Sequence, residues 1–429
     1  MMERIGVCLM VVAVAFAAAP AFNKDVLPIM QSKCQECHRP GEIGPMPLLS
    51  YAQARPWAKA IREAVLVKKM PPWFAEKAHG KFSNDLSLSQ TQIDTIAAWV
   101  DGGAKEGDAK DKPAPRQFVD GWNIRKPDVV LDMASDFAVP ASGTIEYQYV
   151  VLPTGFTEDK WIEQAEVRPS YRGTVHHVVV FARDPESQWL RGEAQPGVPF
   201  VPPKRTPEGR PRQDINGGGN EILTIYTPGM VPDIWKPGIG KRVRAGADLV
   251  LQMHYTVNGK AGVDHTKVGL VFAKQPPAER VMTLGPANMG FTIPPGDGNY
   301  QVDTRAGFVN PAKLVSFFPH MHLRGKAFEY RLVRDGAEPV TLLKVNPYKF
   351  NWQLSYKLEQ PLELKAGDRI ECSAWFDNSP NNPANPDATA TVKWGEQSWE
   401  EMMIGFLDIV IDAKMDRRQF FTRRPASGE

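Results

Sequence analysis

Cysteines and long apolar segments are scarce in this chain of 429 residues. Its four cysteines are Cys8, the closely spaced Cys34 and Cys37, and an isolated Cys372, so a framework of disulfides is excluded. Beyond the N-terminus, no apolar run approaches the ~20 residues that a membrane-spanning helix needs. No basic run is present either, and 51 Lys and Arg nearly balance 49 Asp and Glu. Nucleic acid is therefore excluded as an expected partner, and no membrane span is expected.

The N-terminus has the pattern of a secretory signal peptide. An apolar stretch over residues 5–19 follows Met-Met-Glu-Arg, and Ala19-Pro20-Ala21 forms a small-x-small cleavage site. We therefore predict a signal peptide over residues 1–21 and a bacterial protein that is periplasmic or secreted. An exported protein of this size without a disulfide framework must depend on packing and on any bound metals.

The segment "KCQECHRPG" contains a Cys-x-x-Cys-His motif made of Cys34, Cys37 and His38. At this spacing two thiols add to the haem vinyl groups, and the following histidine ligates the iron. A thioredoxin-like redox pair is the alternative, which export and the helical surroundings disfavour. Apolar stripes with helical spacing precede the motif, follow Pro56, and recur over residues 93–100. Residues 22–107 resemble a class I cytochrome c domain with one covalently bound haem c.

This resemblance implies a methionine as sixth iron ligand, on the loop between the second and last helices. Met70, in "KKMPPWF", occupies that loop. Met46, in "GPMPLL", is the competitor, but it closely follows the haem motif, where such chains wrap the histidine side of the haem. His79 is interpreted as a solvated loop residue. Methionine and histidine together close both axial positions, which predicts electron transfer and not oxygen binding.

Past a charged linker at residues 108–119, the helical period gives way to short alternating runs. Clusters of Gly, Pro, Asn and Asp separate these runs, as in all-β sandwiches or barrels. We predict two sandwiches, at 120–280 and 281–425, separated by a turn-rich break near 275–298. The predicted strands are "YQYVVL", "WIEQAEV", "HHVVVFA", "DLVLQMHYTV", "KLVSFF", "AFEYRLV", "RIECSAWF" and "MIGFLDIVI". The loops at 194–220 and 377–387 are predicted to be surface loops or covers of a cleft.

Five histidines lie within strand-like runs. His320 and His322 are two positions apart, so both imidazoles share one face and can chelate a metal. His254 lies on the more polar face of its strand. His176 and His177 are adjacent, and adjacent side chains on a regular strand point to opposite faces.

Four motifs follow one another along the chain: "TVHHVVVF", "YTPGMVPDIWKPGIGKRVRAGADLVLQMHYT", "FFPHMHLRG" and "EEMMIGF". Their order and contexts resemble the copper type II ascorbate-dependent monooxygenases, the family of peptidylglycine α-hydroxylating monooxygenase and dopamine β-monooxygenase, and the similarity spans roughly residues 120–425. The resemblance implies two jelly-roll sandwiches after the small all-α domain. Each sandwich would carry one copper ion, and the two ions would face each other across a solvent-filled cleft.

Carried over by position, the resemblance assigns ligands to both copper ions. His176, His177 and His254 would hold the electron-donating copper. The catalytic, oxygen-activating copper would be held by His320, His322 and Met402, the methionine that follows Glu401; Met403 is the alternative. Because the strand rule separates adjacent side chains, we predict irregular backbone at 175–178, with the rings of His176 and His177 converging on His254.

The implied activity is hydroxylation of a substrate C–H bond with O2. Phe318, Ile404 and Phe406 replace the residues that hold the substrate carboxylate in the peptidylglycine enzyme, which favours a hydrophobic or aromatic small molecule. An ascorbate-like reductant or a periplasmic donor would supply electrons, with the haem as a relay. The alternative is a non-catalytic periplasmic haem and copper protein for electron transfer or copper binding.

Overall fold

The computed structural model describes residues 19–118, 121–203, 205, 217 and 219–422. Most of the predicted signal peptide, much of the 194–220 loop and residues 423–425 of the predicted second sandwich lie outside these residues. The chain divides into two compact units. We call them the helical unit, with residues up to 71 and 87–116, and the β unit, with residues 72–86 and from 117 onward. Among the described residues, no helix combines the length and apolar character needed to cross a membrane.

The helical unit packs short helices around one apolar core. Phe22, Met30, Ile96 and Trp99 are buried in that core. Ser89 caps the last helix through a reciprocal capping box with Gln92, a start signal that the sequence carries. The helices are a π-helix at Phe22–Val26, α1 at Leu27–Lys33, α2 at Tyr51–Ala54, a 3₁₀ turn at Arg55–Trp57, α3 at Ala58–Leu66, α4 at Gln90–Asp101 and a 3₁₀ turn at Ala109–Asp111.

The first sandwich of the β unit consists of a four-stranded sheet that faces one half of a nine-stranded sheet. The order β3-β9-β5-β6 forms the small sheet, and β1-β11-β4-β8 forms the facing half, with β7 beside β4. A small β2–β10 ribbon lies beside them. The strands are β1 Val129–Asp132, β2 Phe137–Val139, β3 Gln148–Pro153, β4 Lys160–Arg168, β5 Val175–Arg183, β6 Glu221–Tyr226, β7 Asp233–Ile234, β8 Ile239–Val243, β9 Asp248–Tyr255, β10 Gly262–Asp264 and β11 Lys267–Phe272.

The second sandwich repeats this arrangement with the remaining strands. The order β14-β19-β16-β17 forms its small sheet, β12-β21-β15-β18 is the other half of the nine-stranded sheet, and β13 pairs with β20. A short helix, α5 at Arg417–Phe421, follows the last strand. The strands are β12 Glu279–Leu284, β13 Thr292–Ile293, β14 Tyr300–Gly307, β15 Ala312–His320, β16 Gly325–Val333, β17 Val340–Val345, β18 Tyr356–Leu364, β19 Arg369–Phe376, β20 Val392–Lys393 and β21 Ile404–Asp412.

All eight predicted strand runs are strands in the structure, and the strands of the second sandwich begin with β12, inside the turn-rich 275–298 region. The 275–298 region contains β12, which pairs in parallel with β8 and antiparallel with β21. One sheet therefore runs through both sandwiches. The side chain of Lys241 in β8 crosses this junction, where its Nζ donates to Oγ1 of Thr283 in β12 at 2.7 Å. These contacts hold the two sandwiches close together.

Residues 72–86 lie within the predicted cytochrome c domain but pack as part of the β unit. Ala75 forms a bridge to Val345 at the end of β17, and Phe82 forms one to Leu358 in β18. The ring of Trp73 packs edge-on against Tyr356, with centroids 4.9 Å apart. The segment thus covers edge strands of two sheets, which would otherwise expose unpaired backbone groups. The predicted 22–107 domain is interrupted for this reason.

Candidate metal centre

A bulge in β5 brings His176 and His177 to the same side of the small sheet. The register against β9 shifts between Val175 and His177, so that Val175 lies opposite Tyr255 while His177 lies opposite His254. This shift confirms the predicted irregular backbone, because an extra residue in a strand turns the next side chain to a different side. The Nδ1 atoms of His176 and His177 are 3.3 Å apart.

His254 completes this three-histidine cluster. One ligand atom from each of the three rings lies within 4.8 Å of the others, and all three residues are buried. Nδ1 of His254 is buried without a hydrogen-bond partner among the described residues. The convergence predicted from the resemblance is therefore confirmed, and the orphaned nitrogen is a position that a metal ion would satisfy.

The surroundings of these rings favour neutral imidazoles with Nδ1 available. Nε2 of His176 is 3.1 Å from the carbonyl oxygen of Phe350, which can only accept, so this nitrogen carries the proton. Nε2 of His254 is 3.1 Å from Oγ of Ser398. Burial, with a further contribution from His320, lowers the pKa of His176 to about 4. Burial and the neighbouring histidines lower the pKa of His177 and His254 well below the ordinary value.

His320 and His322 lie at the end of β15 and immediately beyond it, with ring centroids 5.3 Å apart. Nδ1 of His320 donates to Oε1 of Gln353 at 2.6 Å, and Nδ1 of His322 donates to the carbonyl oxygen of Glu400 at 3.3 Å. Such contacts set the tautomer of a metal-binding histidine and leave Nε2 available. Nε2 of His322 is buried without a partner among the described residues. Burial lowers the pKa of both rings, that of His320 to about 4.

Glu401 fixes this histidine pair to the chain that precedes Met402. Its carboxylate accepts from the backbone N–H of His322 at 2.8 Å and from that of Arg324 at 2.6 Å. Burial raises the pKa of Glu401 to about 8. Met402 is buried against Phe318, Ile404 and Phe406. Met403 instead belongs to the core of the second sandwich.

The histidine groups of the two sandwiches are adjacent. The ring centroids of His177 and His320 are 5.4 Å apart, and the ring of Phe350 stacks on His176 at 4.1 Å. In this structure the two histidine groups thus meet directly, without the solvent-filled cleft that the resemblance implies between them. The 346–355 loop lies beside both groups, because the ring of Phe350 packs against His176 and His322 and Gln353 accepts from His320.

A cavity of about 170 Å³ opens beside these groups. The structure places His177, His320 and Met402 in its wall, together with all three of the predicted pocket residues, Phe318, Ile404 and Phe406. Other parts of the wall are apolar. They include Val179, Phe181, Ile222 and Ile225 from the first sandwich.

Several contact residues of this site carry no sequence signal that identifies them. Gln353, Phe350 and Ser398 lie in loops, and only folding brings them to the rings that they contact. Glu401 has a partial signal, because it immediately precedes Met402. The ring centroid of Tyr147 is 4.6 Å from that of His254. The sequence marks Tyr147 only as an aromatic residue in a strand-like run, and not as a residue of the site.

The Cys-x-x-Cys-His motif lies at the end of α1, in the helical unit. Nδ1 of His38 is 3.1 Å from the carbonyl oxygen of Met46, so its proton is held and Nε2 is available for iron. Burial, with a smaller contribution from Cys37, raises the pKa of Cys34 to about 12. The backbone of Met46 thus contacts the histidine of the motif. Met70 is partly exposed at the end of the loop that follows α3.

Comparisons with known proteins match only part of this chain. A search of curated proteins finds no match. The major capsid protein P2 of bacteriophage PM2 is 12% identical, with 66% of this chain and 96% of that chain covered and a TM-score of 0.26. The infectious bursal disease virus VP2 subviral particle is 10% identical, with 69% of this chain and 75% of that chain covered and a TM-score of 0.19. At such TM-scores these likenesses carry no argument.

One family model matches the region of the second sandwich. It describes the copper type II ascorbate-dependent monooxygenase, C-terminal domain, and it matches residues 280–408. This range contains His320, His322 and Met402. The match supports copper as the metal and suggests copper-dependent monooxygenase activity. It supports membership of residues 280–408 in the copper type II ascorbate-dependent monooxygenase family.

Proposed function

We propose that this protein is an exported copper monooxygenase that hydroxylates a C–H bond of a small hydrophobic substrate. The observation that carries this proposal is the placement of two buried histidine groups beside one apolar cavity. The reaction consumes one O2, two electrons and two protons for each C–H converted to C–OH, and the second oxygen atom leaves as water. An ascorbate-like reductant or a periplasmic donor supplies the electrons.

The residues present fit two copper ions of different character. His176, His177 and His254 offer three neutral imidazoles, which suit both oxidation states of copper. His320, His322 and Met402 offer two imidazoles and a soft thioether, which favours Cu(I). Copper at these residues would supply one-electron redox chemistry and a binding position for O2.

The protein itself orients the ligands and excludes water. Gln353, the Phe350 carbonyl and the Glu400 carbonyl hold the protons of three rings at the nitrogens that face away from the metal positions. Phe318, Ile404 and Phe406 form an apolar wall beside Met402. A substrate packed on this wall would displace water from the reacting C–H bond, which limits side reactions of a reduced site.

We extend the proposal to a covalently bound haem c in the helical unit, which would supply a one-electron carrier. Cys34 and Cys37 would form the thioether links, and His38 and Met70 would be the axial ligands. The tethered Nδ1 of His38 supports this assignment. The Met46 carbonyl at the same ring supports Met70 over Met46 as the sixth ligand. The signal-like residues 1–21 support export to the periplasm or secretion.

Paired methionine variants test the enzymatic function. In copper-loaded protein, Met402→Ala should abolish O2 uptake coupled to product formation, while the histidines still bind copper. Met403→Leu is the matched control, since Met403 lies in the sandwich core, and it should retain uptake. Wild-type protein that binds copper in both sites but shows no substrate-dependent O2 uptake would contradict the proposal. That result would favour electron transfer or copper binding instead.

A further inference from the structure

The polar groups in the wall of the cavity are mostly engaged by the protein. The amide nitrogen of Gln252 donates to Tyr149 at 2.5 Å, and Oγ1 of Thr283 donates to Asp408 at 2.5 Å. The side chain of Asn220 accepts from Asp184 N–H at 3.0 Å and donates to the carbonyl of Gly217 at 2.6 Å. These groups therefore have little capacity left for a ligand.

Arg417 differs from these groups. It lies in the wall of the same cavity, is partly buried, and forms no hydrogen bond or ion pair with its side chain to any other residue that the structure describes. It is also the one Lys, Arg, Asp or Glu among the described residues of that wall. A partly buried guanidinium without a counter-ion is costly, so a bound anion would stabilise it.

The backbone that carries Arg417 is well anchored. Asp416 caps α5 by accepting from the N–H of Gln419 at 2.7 Å, and Phe420 is fully buried. The side-chain amide of Asn310 donates to the carbonyl of Phe420 at 2.6 Å. The helix therefore holds the Cα of Arg417 in place while its guanidinium stays available to the cavity.

Arg417 and the metal-binding residues approach the cavity from opposite ends of one strand. Ile404 begins β21 two residues after Met402, whereas Arg417 comes five residues after the last residue of that strand, Asp412. Phe406 lies in the first part of the strand, beside Phe318, with ring centroids 5.8 Å apart. Along the chain, the apolar wall residues Ile404 and Phe406 therefore lie next to Met402, whereas Arg417 lies beyond the far end of β21.

We propose that the substrate is an amphipathic carboxylate, with its acid group bound by Arg417 and its apolar part packed on Phe318, Ile404 and Phe406. Arginine suits a carboxylate because its planar fork can form two parallel hydrogen bonds. The proposal rests on the proposed function and adds the substrate class. It also sets the position of attack: the hydroxylated carbon lies at the apolar end of the molecule, remote from the carboxylate.

Binding to the copper-free full-length protein tests the charge preference without any turnover. The probes are phenylalkanoates and straight-chain fatty acids of three to ten carbons, each paired with the alcohol of the same skeleton. Calorimetry should show at least one acid binding about 10- to 100-fold more tightly than its alcohol, the range expected for a charge-assisted pair. Arg417→Gln should remove this preference and leave the affinity for the alcohol unchanged, and Arg417→Lys should restore part of it.

Arg418→Gln is the matched control, because Arg418 is the exposed neighbour on the same helix and is absent from the cavity wall. It should keep the preference for the acid. If no acid binds better than its alcohol, the proposal is overturned. It is also overturned if Arg417→Gln and Arg418→Gln weaken acid binding equally. Acid binding through Arg417 without copper-dependent O2 uptake would refute the proposed function but keep the carboxylate site. In active protein, mass spectrometry should place the hydroxyl group away from the carboxylate.

Discussion

Replacement of Gln353 should weaken copper binding at His320, His322 and Met402 without removing any ligand. Gln353 is 2% exposed, and its Oε1 accepts from Nδ1 of His320 at 2.6 Å. Gln353→Leu removes this acceptor at similar volume, so the ring loses the contact that fixes its tautomer. Loss of such a supporting contact typically costs 10- to 100-fold in metal affinity. Because water cannot readily replace a buried acceptor, we expect a loss near 100-fold, or about 2.7 kcal/mol.

The other contacts of Gln353 allow a clean control. Its amide nitrogen donates weakly to the carbonyls of Met321 and Phe350, at 3.4 and 3.3 Å. Both carbonyls keep another donor, from Tyr348 and His176 respectively. Gln353→Glu keeps the acceptor for His320 but loses the amide donor. It should therefore bind copper nearly as well as the wild type.

Chelator competition followed by electron paramagnetic resonance of the Cu(II) form can measure the affinity of each site separately. We expect Gln353→Leu to weaken the His320 site alone and leave the three-histidine site within about threefold of the wild type. Equal losses in the Leu and Glu variants would show that the amide donor, and not the acceptor, matters. Unchanged affinity in Gln353→Leu would refute the argument that this contact orients the ring.

Three further predictions concern stability and haem attachment. Gly405→Ala should destabilise the fold by about 1–3 kcal/mol, the usual cost of overpacking, because its Cβ would lie 2.6 Å from Sγ of Cys372. Gly307→Ala, which meets nothing within 4 Å, is its control in denaturant unfolding. Glu396→Gln should raise the melting temperature at neutral pH. Burial and neighbouring carboxylates raise the pKa of Glu396, and its ionised form therefore destabilises the folded state. This gain should vanish as pH falls below the pKa of an unfolded glutamate, about 4.3, and a constant gain at all pH values would exclude the charge explanation. Cys34→Ala should lower covalent haem on denaturing gels, and wild-type protein without gel-bound haem would refute the haem assignment.

Local patterns predicted much of the fold. Each of the eight predicted runs is a strand in the structure, including β5, which is buried on both faces and is marked by its β-branched residues instead of by alternation. The apolar stripes before and after the Cys-x-x-Cys-His motif are helices, because a helix that packs on a core needs apolar side chains with a period of about 3.6 residues. Short strands such as β7 and β13 were missed, since two residues carry no period.

Long-range pairing was the main source of error. Residues 72–86 follow a helical segment, yet Trp73 and Phe82 pack on Tyr356, some 270 positions later in the chain. The turn-rich 275–298 region lies where the strands of the second sandwich begin, but the sheet continues through it. It contains β12, whose pairing with β8 depends on a partner that its own residues do not specify.

The sequence by itself determined the chemistry of the candidate site: two thiols and a histidine, five histidines in strand-like runs, and a methionine beside a glutamate. The strand rule also predicted irregular backbone at 175–178, and the structure has a bulge there. Only the tertiary structure decided that His177 and His320 lie 5.4 Å apart, that Gln353 and Phe350 hold the rings, and that Arg417 faces the same cavity as Met402. Ligand types and spacings are local properties of a chain, whereas the distance between two sandwiches depends on every contact that joins them.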